Sequence, residues 1–450
     1  MKKKFIFLSL VVLLISNTSC LPQKEYKADP DPFTPMFVQT RSYDGIDNPK
    51  LAWIYTWEDK KTSSYDKGMK TPPATDDKGN VYFINQDYQI SSISSSGNLL
   101  WTKGNGIRKM QILNNEILIN TSTFRTRLLS MEDRGLVLNE SGIEQYGFEL
   151  YSNMGPDGFF YNLIRKKDDK KIVRDSLKRE WDFRNDYISN LYSFDAKQKI
   201  RWIYVIPQTS EEYRTLEKCF FDEKGNIYFV ISVTNSKRCI EIFSLTNMGR
   251  FRWKKEFLSE SENFSDFSER FIDFIPDQFI FKDVFLIRIK NYPSEKEKEI
   301  NKIVCISSEG QELWSNSIYK KEHLSHSYCI SKDELFYFSV SNSSTEKTFL
   351  LAISMSGKKL WEKELIGEAT TTPILDEDGN IYIGSNSGYY SNKLSDRYLY
   401  SFTPSGQLRW NMLQQNPSQS FDNTLVLGPN RRIYYGCYLE NVLFCIENED

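Results

Sequence analysis

The pentapeptide Gly-x-x-x-Trp recurs along this chain of 450 residues and restricts its fold more than any other feature. Complete copies occupy residues 97–101, 249–253, 310–314, 357–361 and 406–410. Two degenerate copies end at Trp202 and Tyr146, and successive aromatic positions from 101 to 410 are 45 to 61 residues apart. A period of about 40–50 residues is typical of architectures in which each repeat forms one small sheet.

A second motif marks a turn and a strand within the repeats. An acidic residue, any residue, Gly-Asn, a β-branched residue and tyrosine follow one another at 77–82, 223–228 and 377–382. The Gly-Asn pair suits the positive φ of tight hairpins. Another run of alternating character, such as 398–402, lies between the two motifs. Each repeat is therefore predicted to contain about four short antiparallel strands.

The repeats predict an all-β fold, an eight-bladed β-propeller of four-stranded antiparallel blades. Seven blades are complete, and the eighth combines residues 424–446 with the segment around Trp53, which lies 48 residues before Trp101. This blade would close the ring with N- and C-terminal strands and so avoid open edges. The propeller is predicted over residues 50–450, with the charge-rich runs 165–180 and 290–302 as loop insertions.

The recurring aromatic residues are predicted to hold neighbouring blades together, because each buries roughly 150–250 Å² of side chain. A ligand-stacking role is the alternative. The predicted structural repeat positions are Trp53, Trp101, Tyr146, Trp202, Trp253, Trp314, Trp361 and Trp410.

The N-terminus predicts an extracytoplasmic, membrane-anchored location. Three lysines precede an apolar run of about 11 residues, which is too short to span a bilayer and is typical of a signal peptide over residues 1–19. Cys20 resembles the lipidated cysteine of bacterial lipoproteins and is the predicted lipid attachment site, although Asn17 stands where that motif usually has leucine. Cleavage by signal peptidase I is the alternative. Residues 20–49 are predicted to form the lipid anchor and a flexible tether, and Leu21 favours the outer membrane.

The succession Asp-x-x-Gly-Asn-Ile-Tyr, Leu-x-x-Ile/Phe and Gly-x-x-x-Trp resembles the pyrroloquinoline-quinone-type propeller repeat over most of the chain after residue 50. The resemblance implies one of two groups. Quinoprotein dehydrogenases hold quinone and calcium above the propeller axis. Non-catalytic relatives include the propeller lipoprotein of the outer-membrane β-barrel assembly machine, and a lipidated Cys20 favours that group. The chain also has no Cys-Cys pair and no CxxCH motif.

Other chemistry is weakly represented in the sequence. The formal net charge of −2 provides no electrostatic basis for nucleic-acid binding. His323 and His326 are predicted to lie in a surface loop, and the run 376–380 is predicted to be a hairpin turn rather than a calcium loop. Six further cysteines could pair or be buried as small apolar residues; they are Cys219, Cys239, Cys305, Cys329, Cys437 and Cys445. No catalytic residue, metal ligand or cofactor is predicted.

The sequence therefore favours a monomeric, non-catalytic propeller that binds an unknown protein partner through face loops or strand edges. Its expected setting is cell-envelope assembly. A quinone-dependent dehydrogenase is the enzymatic alternative. A surface adhesin or carbohydrate-binding propeller is the third hypothesis.

Overall fold

All regular structure in the described part of the chain is β-strand. The computed structural model describes residues 43–57, 69, 73–113, 116–121, 126–130, 137–140, 148–155, 159–167, 187–195, 199–207, 213–234, 238–258, 272–273, 279–280, 283–291, 300–317, 322–342, 347–369, 371–386, 396–414, 425–436 and 441–449. Within these ranges, 34 strands form eight sheets, here called blades 1 to 8. None of the described residues forms an apolar helix long enough to span a membrane.

The strands are numbered in chain order. Blade 1 consists of β2 (Ala74–Thr75), β3 (Val81–Ile84), β4 (Ile90–Ile93) and β5 (Leu99–Lys103), and blade 2 of β6 (Ile107–Leu113), β7 (Glu116–Thr121), β8 (Thr126–Ser130) and β9 (Val137–Glu140). Blade 3 consists of β10 (Phe148–Met154), β11 (Phe160–Lys167), β12 (Tyr187–Phe194) and β13 (Ile200–Val205), and blade 4 of β14 (Tyr213–Asp222), β15 (Ile227–Thr234), β16 (Arg238–Leu245) and β17 (Phe251–Leu258).

The second half of the ring contains the two ends of the chain. Blade 5 consists of β18 (Ile272–Asp273), β20 (Val284–Asn291), β21 (Ile300–Ser307) and β22 (Glu312–Ser317), and blade 6 of β23 (Glu322–Ile330), β24 (Leu335–Asn342), β25 (Lys347–Ser354) and β26 (Lys359–Leu365). Blade 7 consists of β27 (Glu368–Ala369), β28 (Ile374–Leu375), β29 (Ile381–Asn386), β30 (Arg397–Phe402) and β31 (Leu408–Gln414), and blade 8 of β32 (Val426–Gly428), β33 (Arg432–Gly436), β34 (Val442–Asn448) and β1 (Pro49–Thr56).

The predicted fold class, an antiparallel all-β propeller, is confirmed. The first strands of neighbouring blades contact one another, as β2 does with β6 and β32, so they surround the axis. The fourth strands are the outer edges. Strand β19 (Phe279–Ile280) departs from the four-stranded pattern by pairing in parallel with β14, which links two blades.

The N-terminal strand closes the ring by pairing antiparallel with the C-terminal strand, from Pro49 opposite Asn448 to Thr56 opposite Val442. The predicted closure is therefore confirmed. Ile46, which falls within the predicted tether, is buried in the core between blades 7 and 8. Residues 43–49 thus belong to the propeller, and the signal peptide and the rest of the tether lie outside the described residues.

The core consists of apolar layers between blades. Val81 and Phe83 pack towards blade 8, whereas Tyr82 and Ile84 pack towards blade 2. Because alternate side chains of a strand point to opposite faces, a sheet with two covered faces needs apolar residues at successive positions. This explains why β3 is buried throughout.

The predicted insertions are partly strand. Residues 165–167 belong to β11, and 290–291 and 300–302 extend β20 and β21; the remainder of both runs lies outside the described residues. The surface-loop prediction for His323 and His326 is wrong, because both residues lie in β23, where His323 is paired with Ser341.

Candidate functional site

Six of the repeat tryptophans join neighbouring blades by a hydrogen bond. The indole Nε1 donates a hydrogen bond of 2.6–3.0 Å to a backbone carbonyl of the next blade's outer turn or, for the last, of the N-terminal segment. These bonds join Trp53 to Ser95, Trp202 to Asn247, Trp253 to Ser308, Trp314 to Met355, Trp361 to Pro404 and Trp410 to Ile46. The motif glycine of the next blade lies against the ring. A Cβ on Gly310, for example, would be 2.7 Å from Cδ2 of Trp253.

A β-bulge aims the tryptophan at this position. In blade 4, Ser244 pairs with Trp253 and Leu245 with Phe251, so Arg252 is the extra residue. The bulge recurs one residue before Trp in seven blades. In blade 2 the same register brings Asn139 opposite Leu128. Asn139 therefore occupies the repeat position of blade 2, which corrects the predicted Tyr146. Tyr146 itself lies outside the described residues.

The tyrosine of the second motif packs against the tryptophan of its own blade. The ring centroids of Tyr228 and Trp253 are 5.8 Å apart. The equivalent separations elsewhere are 5.7–6.0 Å, for Trp53 with Tyr434, Tyr82 with Trp101, Tyr161 with Trp202, Tyr337 with Trp361 and Tyr382 with Trp410. The two motifs therefore form one packing unit in each of these blades.

A buried aspartate organises the turn before that tyrosine. Asp222, 1% exposed, accepts hydrogen bonds from the backbone N–H groups of Lys224 and Asn226, from the Asn226 side chain and from the Tyr228 hydroxyl, at 2.8–2.9 Å. Asp76 and Asp376 repeat the arrangement. Burial and the neighbouring Asp222 raise the pKa of Tyr228. The predicted hairpin turn at 376–380 is confirmed, because Asp376 binds its own turn rather than pointing outward.

An arginine that was not predicted from the sequence completes this network. Arg252 Nη1 donates to the Tyr228 hydroxyl at 2.9 Å and to Ser244 Oγ at 2.8 Å. Arg409 makes the same contacts with Tyr382 and Ser401. Both arginines directly precede the tryptophan, so the recurring Arg-Trp dipeptide was the signal. The conspicuous polar residues of both motifs therefore stabilise the blades.

Cys305, Cys329 and Cys445 are free thiols. Burial raises the pKa of Cys305 and of Cys445 to about 12. The prediction of buried apolar cysteines is therefore confirmed for these two residues. Cys437 lies outside the described residues.

One set of potential metal ligands occurs in the described residues, formed by Cys239, Glu241 and Glu256 within 4.8 Å of one another. Lys254 already forms an ion pair with the buried Glu241 and lies 3.9 Å from Glu256. The set lies on β16 and β17, the outer strands of blade 4, whereas quinoproteins hold quinone and calcium above the axis. These residues therefore do not fit that cofactor.

The outer edges form an apolar rim. All twelve large hydrophobic residues that are exposed in the described part of the chain lie in, or next to, an outermost strand. Seven stand one or two positions before the repeat tryptophan, and we call these the apolar rim: Leu51, Leu99, Leu100, Phe251, Leu313, Leu360 and Leu408. The bulge that turns the tryptophan inward leaves the preceding side chains facing solvent.

The fold and the rim define a β-propeller with an accessible apolar circumference. No protein-family model and no curated protein sequence matches the chain. Among solved structures, the chain is similar to the quinohemoprotein alcohol dehydrogenase of Comamonas testosteroni, with a TM-score of 0.53 and 9% identity over 90% of this chain and 77% of that one. It is also similar to Sqt1 of Saccharomyces cerevisiae, with a TM-score of 0.52 and 9% identity over 89% of this chain and 100% of that one.

A third solved structure, BamB of Moraxella catarrhalis, has a TM-score of 0.47 and 11% identity over 89% of this chain and 98% of that one. The predicted resemblance in fold to the quinoprotein-type propeller is confirmed by the dehydrogenase. At these identities the likeness concerns the fold alone.

Proposed function

We propose that this protein is a monomeric, lipid-anchored, extracytoplasmic propeller that acts as a non-catalytic scaffold for protein binding in the cell envelope. The apolar rim carries the proposal. Large apolar side chains are exposed at equivalent edge positions of six blades, and a partner that covers them removes apolar surface from water. The unpaired backbone of the edge strands adds hydrogen-bonding capacity for a partner.

The buried polar groups support the same proposal. Asp76, Asp222 and Asp376 each accept four hydrogen bonds from their own turns, and the arginines beside the tryptophans bind the motif tyrosines. These groups stabilise the ring and are saturated by protein contacts. The lipid anchor at Cys20 and the envelope location rest on the N-terminal sequence.

Cross-linking in intact cells, followed by purification of the full chain from membranes, tests the scaffold. We expect a defined protein partner in near-stoichiometric amount. A Cys20→Ser variant should lose both acyl labelling and membrane retention. The proposal is overturned if no protein is enriched over a tag-only control.

The enzymatic alternative needs a separate assay on the purified chain. Incubation with pyrroloquinoline quinone and Ca²⁺, followed by dye reduction with alcohols and sugars, should give no turnover above a heat-denatured control. Quinone-dependent turnover would replace the scaffold with a dehydrogenase.

A further inference from the structure

Strand β1 is a long edge on the composite blade. It is the outermost strand of blade 8 and is eight residues long. Beyond its bulge at Ala52, the residues Trp53, Tyr55 and Trp57 face blade 1, where Trp57 packs on Phe83 at 4.8 Å between ring centroids. Ile54 points the other way and is 44% exposed. The free edge of β1 pairs with no strand among the described residues.

Protection against strand pairing is confined to the start of β1, which contains Pro49, Lys50 and the bulge at Ala52. Residues 51–57 contain no charged side chain and no proline or glycine, and tryptophan, isoleucine, tyrosine and threonine all favour strands. Natural edge strands are commonly protected by charges, as β17 is by Lys254, Lys255 and Glu256. The nearest charge on β1, Lys50, is 3.7 Å from Glu447 of its own blade.

The outermost strands of both neighbouring blades also expose apolar side chains. Trp53 lies against Gly97, and the exposed Leu99 and Leu100 follow directly in β5. Leu408 and Leu413 are exposed on the other side, in β31.

From these observations we propose that β1 is the docking edge for an extended, uncharged segment of a different protein, which adds a fifth strand to blade 8. The inference rests on the proposed scaffold function and identifies its contact surface. A charge on the incoming strand would be desolvated against residues 51–57, which offer no counter-charge, so the segment should alternate apolar and neutral polar residues.

The size of the edge favours a flexible segment over a second copy of the propeller. Eight residues give a strand about 26 Å long, and a contact roughly 10 Å wide would cover only about 260 Å² of each copy. Stable complexes bury about 800 Å² per partner. An extended segment can continue onto the apolar flanks, whereas a rigid second disc cannot follow the curved rim.

Binding of a capped, fluorescent peptide of about seven alternating valine and threonine residues to the full mature chain tests the proposal. We expect saturable binding with a Kd below about 1 mM. Ile54→Lys should raise the Kd about tenfold, whereas the matched Val205→Lys, at an exposed apolar residue on the edge of blade 3 that is not part of the apolar rim, should leave it within about twofold. A peptide with a central proline should not compete.

Equal binding to Ile54→Lys, equal competition by the proline peptide or the absence of saturable binding overturns the proposal. It is also overturned if the wild-type chain sediments as a dimer that Ile54→Lys dissociates, because the occupant is then a second copy. Co-purification of the partner distinguishes failure of the β1 assignment from failure of the scaffold function. A partner retained by Ile54→Lys removes the β1 assignment only, whereas the absence of any partner removes the scaffold function.

Discussion

The hydroxyl of Tyr228 donates a hydrogen bond of 2.8 Å to Oδ2 of Asp222, and this bond connects the turn motif to the tryptophan motif of blade 4. Tyr228 packs on Trp253, whose indole is hydrogen-bonded to Ser308 of blade 5. One carboxylate thus supports a chain of contacts that crosses from one blade to the next.

Asp222→Ala should lower the free energy of unfolding by about 3 kcal/mol, because four donors lose their acceptor and the buried ones lose it without access to water. Chemical denaturation measures the loss. The exposed neighbour Glu223 provides the control, since Glu223→Ala should change stability by less than about 0.5 kcal/mol. Equal effects of the two substitutions would show that the network does not stabilise the blade.

Gly310→Ala should destabilise the protein more than Gly379→Ala. Both glycines have φ near +80°, so each substitution incurs a left-handed strain of about 1–2 kcal/mol. A Cβ on Gly310 also meets the Trp253 ring at 2.7 Å, whereas on Gly379 it meets Pro404 at an ordinary 3.4 Å. Overpacking adds about 1–3 kcal/mol for Gly310→Ala alone. Thermal unfolding compares the stability of the two variants. Identical midpoints would contradict the close packing of Trp253 against Gly310 of the next blade.

Gly45→Ala should loosen the closing blade. The N–H of Ile46 donates to Tyr382 at 2.9 Å, and Gly45 lies so close to Asp376 and Tyr382 that a Cβ would collide with both. We expect faster hydrogen exchange in β1 and β34 and unchanged exchange in blade 4. Substitution of the exposed Asp44 provides the control, because hydrogen exchange in β1 and β34 of the Asp44→Ala variant should match that of the wild type. Uniform exchange in all three proteins would show that residues 43–48 do not hold the ring closed.

Buried thiols should make the fold sensitive to alkali. Burial raises the pKa of Cys305 from its ordinary value of 9.0 to about 12. Below pH 9 both folded and unfolded chains keep the proton, so the contribution of this thiol to stability is complete. Between pH 9 and about 12 the unfolded thiol ionises first, and stability falls. Denaturation at several pH values should show a shallower decline for Cys305→Ala. A parallel decline would exclude this thiol as a cause.

Sequence periodicity predicted the sheets because the tryptophans, turn glycines and bulges recur at equivalent backbone positions. It failed in blade 2, where Asn139 replaces the aromatic residue and Tyr146 happened to fit a degenerate spacing. Register depends on pairing with β8, which local sequence does not show.

The roles of polar residues were harder to foresee than the fold. Asp222 begins the Asp-x-x-Gly-Asn-Ile-Tyr pattern, but its role was not predicted because its four donors are identified only by geometry. The histidines of β23 were misplaced since a serine-rich run resembles a loop. The apolar rim was not predicted, because exposure of Leu99 and Leu100 depends on the bulge beside Trp101 and not on the hydrophobicity of these residues.

The central claim, that the two ends of the chain close one ring, can be tested with a single engineered disulfide. Lys50 and Glu447 are directly opposite in the β1–β34 pair, and cross-strand Cα separations of about 4.5–5.5 Å suit a disulfide. We expect Lys50→Cys/Glu447→Cys to oxidise to an intramolecular disulfide in a monomeric chain with a raised midpoint of thermal unfolding. The control Lys50→Cys/Lys359→Cys, with cysteines on different blades, should remain reduced. Failure of the first pair to oxidise, or oxidation only between molecules, would contradict closure.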